Sequence, residues 1–182
     1  MRISRNQLLQ ELSAKLDVAA TQVNAFKTLP TEQLNFKSNA ESWSILECIE
    51  HLNLYGDFYL PEIEQRILNA KPQPQATEFK SGFIGNYFAN LMLPKNGSIK
   101  KMKTFKDKNP IHSSLTTTTL DRFLKQNEKL QALLKQAEGI DITATKTAIS
   151  ISTLVKLRLG DTFRFVIYHI ERHIAQAERC LQ

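Results

Sequence analysis

Cysteine, glycine, proline and histidine are all scarce in this chain of 182 residues. Two cysteines, Cys48 and Cys180, are too few for a disulfide framework. Six glycines and six prolines are few turn-formers for this length, which argues against many short strands. No run of about 18 apolar residues occurs, so no membrane-spanning helix is expected. The opening MRISRNQLLQ lacks the apolar core of a secretory signal. These absences lead to the expectation of a soluble cytoplasmic protein. What remains is an ordinary globular balance, 42% apolar and 23% charged residues. A net charge of +6 is modest, and no nucleic-acid-binding motif accompanies it.

Apolar residues recur at helical spacing in four stretches. Leu9, Leu12, Leu16, Ala19, Val23 and Phe26 step by three and four, which predicts a long helix over 4–29, closed by Pro30. Ser44 and Glu47 have the S-x-x-E spacing of a capping box and predict a second helix start. Its apolar face is Ile45, Ile49, Leu52, Tyr59, Ile63 and Ile67, with Pro61 either kinking the helix or ending it. Residues 71–115 read as a long connection, in which FIGNYFANLML is a short helix or an apolar plug. A third long helix carries Leu120, Phe123, Leu124, Leu130, Leu133 and Leu134, with Thr118 or Thr119 as N-cap and Gly139 at its C-terminal end. The β-branched stretch around 140–160 leans away from helix; STLVKLRL within it reads as a short helix or loop. The fourth long helix runs from Phe163 to Gln182, with Asp161 as a candidate cap. No internal repeat is visible, so one domain over 1–182 is the simplest account.

The fourth helix holds His169 and His173, half of the four histidines in the chain. Residues at i and i+4 lie one above the other on a helix, so two imidazoles so placed can share one metal ion. The intervening Ile170 and Glu171 do not make the H-E-x-x-H zinc-protease pattern. On spacing alone, a solvated helix face is the simpler reading of the pair. His51 changes that balance, because it lies between the apolar positions Ile49 and Leu52 of the second helix. If those two helices are neighbours, three neutral imidazoles meet and leave coordination positions open.

Trp43-Ser44 at a helix start, His51 seven residues later, and Tyr168-His169-x-x-x-His173-x-x-Gln176 resemble the DinB-like superfamily of four-helix metal-binding proteins. The resemblance covers most of the chain as helix order and is specific mainly at these two stretches. It implies an all-α four-helix bundle, up-down-down-up with a long central crossover. It also implies that His51, His169 and His173 form a three-histidine site for a divalent transition metal, zinc or nickel. Some members transfer or modify low-molecular-weight thiols, so the resemblance implies an S-transferase type of activity, with a small-molecule thiol as partner. A metal-dependent hydrolase, a metal-binding module without catalysis, and a helical interaction protein remain open alternatives.

Other residues have two readings each. Glu47 can orient His51 or serve only its capping box. Gln176 can orient a site group or lie on the surface. Cys48 reads as a small buried residue rather than a fourth ligand. Cys180 reads as core or surface, and His112 as solvated. Trp43 packs by the cap or walls a pocket. Arg164, Tyr168 and Arg172 are candidates for an anionic substrate. The lysine-rich run 95–108 is an anion site or a solvated loop. No nucleic-acid or membrane partner is expected, and the apolar helix faces allow a homodimer.

Overall fold

The computed structural model describes residues 1–71, 76–93 and 102–181. Four long helices carry the fold: α1 (Arg5–Phe26), α3 (Ile45–Leu68), α5 (Thr118–Ala137) and α6 (Leu159–Glu178). Two shorter ones, α2 (Thr31–Leu34) and α4 (Phe83–Met92), lie in the connections. The apolar stripes expected of the long helices are buried as expected. Leu9, Leu12, Leu16, Ala19, Val23 and Phe26 of α1 are all in the core, as are Ile45, Ile49, Leu52, Tyr59, Ile63 and Ile67 of α3. On α5 the stripe is buried except for Leu124, which packs at its edge. The α3 helix runs unbroken through Pro61, which lies on its exposed face. Helices α1 and α3 each pack along both α5 and α6, so α1 and α3 stand at opposite corners of a four-helix bundle. The chain is predominantly helical, and no helix among the described residues is long and apolar enough to cross a membrane.

Two small two-stranded antiparallel sheets decorate the bundle. Strand β1 (Arg2–Ser4) pairs with β2 (Glu78–Lys80), Ile3 opposite Phe79. Strands β3 (Lys146–Ile149) and β4 (Ser152–Arg158) pair in the stretch expected to be loop or short helix. Here Thr147 and Ile149 face inward and are buried while Lys146 is exposed, the period-two pattern of a half-buried strand. The Thr147 and Thr162 hydroxyls, 2.5 Å apart, tie this hairpin to α6.

The start of α6 also differs from the expectation. The helix begins at Leu159, four residues before Phe163, and Arg158 is its N-cap. Asp161 is therefore not a cap. It lies in the first turn, fully buried, where its carboxylate accepts from the Gly82 backbone N–H at 2.7 Å and from the Arg164 guanidinium at 3.0 Å. On α5 the N-cap is Thr117 rather than Thr118 or Thr119, one residue of fraying.

Close approach at two glycines lets the connection 78–92 lie on α6. A Cβ on Gly85 of α4 would stand 2.5 Å from the Asp161 side chain. One on Gly160 would stand 2.4 Å from the ring of Phe79, itself wholly buried. Gly160→Ala must push Phe79 and β2 outward, and overpacking of this kind costs about 1–3 kcal/mol. Urea unfolding of that variant measures the loss. A stability equal to the parent would mean that β2 is not held against α6.

Candidate functional site

The Ser44–Glu47 capping box is formed: the Ser44 hydroxyl accepts from the Glu47 N–H at 3.2 Å, and the Glu47 carboxylate accepts from the Ser44 N–H at 2.9 Å. This fixes where α3 starts, and so places His51 two turns inside it, on the face turned to α6. His169 and His173 come from α6. All three imidazoles are more than nine-tenths buried. Their ring centroids are 4.5–5.0 Å apart, and their ligand-capable nitrogens all lie within 4.8 Å of one another.

Hydrogen bonds fix two of the three tautomers. His51 Nδ1 donates to the Lys108 carbonyl at 2.7 Å, and His173 Nδ1 donates to Gln176 Oε1 at 3.0 Å. Each neutral ring then presents an unprotonated Nε2. The Nε2 atoms of His51 and His169 face each other at 3.1 Å. With an Nε2–H, neutral His169 donates to the His51 lone pair; with its proton on Nδ1, two lone pairs meet and a cation between them relieves the repulsion. Two nitrogens bound to one transition metal at about 2.0–2.1 Å stand about 2.9–3.4 Å apart, so the observed spacing fits either. Three imidazoles with no carboxylate are a donor set that suits a divalent transition metal and leaves positions open.

Burial keeps the rings neutral. It lowers His51 to about 4, helped by the charges of Lys108 and Arg172 and opposed by the Lys108 carbonyl. Burial also holds His169 and His173 well below the usual imidazole range, with the neighbouring histidines and Arg172 acting in the same direction. Neutral imidazole is the form that binds metal.

The second helix and its surroundings resolve several double readings. Glu47 does not touch His51. Besides the capping box, it accepts from the His112 backbone N–H at 2.7 Å and pairs with Lys37 at 3.2 Å. His112 itself is exposed, with a left-handed φ of 65°, away from the cluster. The segment 108–112 is thus pinned to α3 twice, one turn apart. Gln176 does orient His173. Cys48 is buried in the core and is not part of the imidazole cluster. Cys180 is half-buried on the cavity wall, where the neighbouring Cys48 lowers its thiol below the ordinary thiol range, and that thiol donates to the Trp43 carbonyl at 3.3 Å.

The histidines open into a cleft of about 840 Å³. Trp43 lies 4.8 Å from His51 and 5.7 Å from His173, ring to ring, so it walls the site as well as flanking the cap. Tyr55 stands 4.5 Å from His169, and Phe165 stacks on that ring at 5.9 Å. Burial raises the Tyr55 phenol to about 12, which keeps it protonated. Of the three candidates for anion binding, only Arg172 reaches the cleft. Arg164 is buried against Asp161, Ser81, Asn86 and Asn90. Tyr168 lies under Lys15 and Arg164, outside the cleft lining. Lys95, Lys100 and Lys101 of the lysine-rich run lie outside the described residues; Lys103 lines the cleft.

Sequence reasoning missed Tyr55, Phe165 and the Lys108 carbonyl. Tyr55 sits four residues after His51 and Phe165 four before His169, so helical spacing carried a signal for both. A backbone carbonyl carries none, because every residue has one. Comparison with curated proteins and with solved structures returned no match. A family model for the DinB superfamily matches residues 17–177, which include both histidine-bearing helices. By that match the chain belongs to the DinB superfamily.

Proposed function

We propose that His51, His169 and His173 hold a divalent transition metal, zinc or nickel, and that the protein is a metal-dependent enzyme activating a small thiol, of the S-transferase type. The observation that supports this most is the convergence of three neutral, buried imidazoles with two Nδ1 protons already committed to Lys108 and Gln176. Those two bonds hold the rings in place and leave Nε2 for the ion, the usual outer support of a ligand histidine. A divalent cation there supplies a Lewis acid, which lowers the pKa of a thiol or water brought to it. Trp43, Tyr55 and Phe165 restrict water around the rings and shape room for an organic reactant.

The lining favours a thiol over water. Hydrolysis is aided by a general base within reach of the attacking water. Among the described lining residues the only carboxylate is Glu41, which is exposed. A thiol starts far more acidic than water, so the same cation ionises it more completely and it depends less on such a base.

The test is turnover of zinc- and nickel-loaded protein with low-molecular-weight thiols and an aryl halide, against His169→Ala. The variant keeps the helical circular dichroism of the parent and loses thiol consumption above background. Equal rates in parent and variant would contradict the proposal.

A further inference from the structure

The cleft is polarised along α6. Phe165 and Arg172 of α6 and Arg179, its C-cap, are spaced seven apart, so they fall on nearly one face, about 10 Å between neighbours. His169, His173 and Gln176 fill the positions between, and all six line the cleft. At the Phe165 end the surroundings are apolar: Tyr59 lies 5.7 Å and Phe88 6.5 Å from its ring, and Leu157 and Ile149 join the wall. At the other end the lining turns cationic. Among the described lining residues the cations are Arg172, Arg179 and Lys103 and the carboxylate is Glu41, an excess of two positive charges. Arg172 is 8% exposed, so its charge acts with little solvent screening.

We propose that this cleft binds an amphipathic organic anion, an alkyl or aryl chain ending in a carboxylate, with its apolar part on Phe165, Tyr59 and Phe88 and its anionic end at Arg172 and Arg179. The chain then passes across the three histidines. That a bond in it reacts there rests on the proposed metal site, but its binding does not. The cleft is much larger than the imidazole cluster needs, and concave, mostly apolar sites with a few convergent charges are the usual form of small-molecule sites. A guanidinium pairs with a carboxylate through two parallel hydrogen bonds, which an alcohol cannot match.

Trp43 is the only tryptophan and lies against two of the histidines, so its fluorescence reports occupancy. Decanoate and decanol are titrated into zinc-loaded and chelator-stripped protein, with equilibrium dialysis as a second readout. The expected result is decanoate binding about tenfold tighter than decanol in both forms. Arg179→Gln, at an exposed position that the fold does not need, removes most of that preference; Arg172→Gln does the same if it folds. Phe165→Ala weakens both ligands. Equal affinity for decanoate and decanol, or no binding of either, would overturn the proposal. So would a preference that disappears with the metal and ignores Arg179, because the carboxylate would then be seeking the cation. Failure of the metal site alone leaves the stripped-protein preference intact.

Discussion

Asp161→Ala lowers the stability of the fold by about 3–5 kcal/mol, the range for removing one partner of a buried ion pair. Asp161 and Arg164 are 0% and 2% exposed as side chains. The pair joins α6 to the connection before α5, through Ser81, Gly82, Asn86 and Asn90. Without the carboxylate, the guanidinium keeps only neutral acceptors, and the Gly82 N–H loses its partner. The alanine also leaves space beside Gly85, where α4 approaches most closely. For a chain of this size the loss corresponds to about 10 °C in Tm. Asp161→Asn keeps an acceptor for Gly82 and falls between parent and alanine. Calorimetry of the three proteins decides it; a Tm for Asp161→Ala within about 2 °C of the parent would show that the pair does not anchor this segment.

Acid destabilises the metal-free protein well above the range where carboxylates titrate. The sign follows from burial. Each of the three rings has a folded pKa below its unfolded value of about 6.5, His51 at about 4 and the other two well below the usual range. As pH falls through 6.5 the unfolded chain takes up protons that the folded chain refuses, so stability is lost. For His51 the loss runs from about 6.5 down to about 4 and then levels. Between pH 7.5 and 5.0 it amounts to about 2 kcal/mol for a ring of this kind. With three such rings the parent loses more than one ring accounts for, and His51→Ala loses about 2 kcal/mol less than the parent over the same interval. Urea unfolding in chelator at the two pH values measures both. Stability unchanged between pH 7.5 and 5.0 would mean that the rings accept protons in place.

Much of the bundle was legible because helices declare themselves locally. The spacing of Leu9 to Phe26 and of Ile45 to Ile67 identified their buried faces without any partner in view. His51, His169 and His173 were legible as a set through the family resemblance, and the structure brings the three together. The start of α6 was not legible, since Asp161 has the residue type of a cap, and only the distant Ser81 and Gly82 show it to be half of a buried pair. Arg164 read as a candidate for an anionic substrate for the same reason. The β3–β4 hairpin gave a weak signal, because four residues of alternation in Lys146–Ile149 are too few to separate strand from loop. The cleft was the least legible of all. Its wall is assembled from α3, α4, α6, both sides of a hairpin and the 102–111 segment, and only the fold brings these together.

The central claim is that one ion joins the distant histidine of α3 to the pair on α6. The most direct measurement is elemental analysis of tag-free protein and of His51→Ala, each as purified and after reconstitution with zinc and nickel. The account predicts about one equivalent of a transition metal in the parent and its loss in the variant, with the variant still helical. No metal in the parent under either condition, or an undiminished equivalent in His51→Ala, would contradict it.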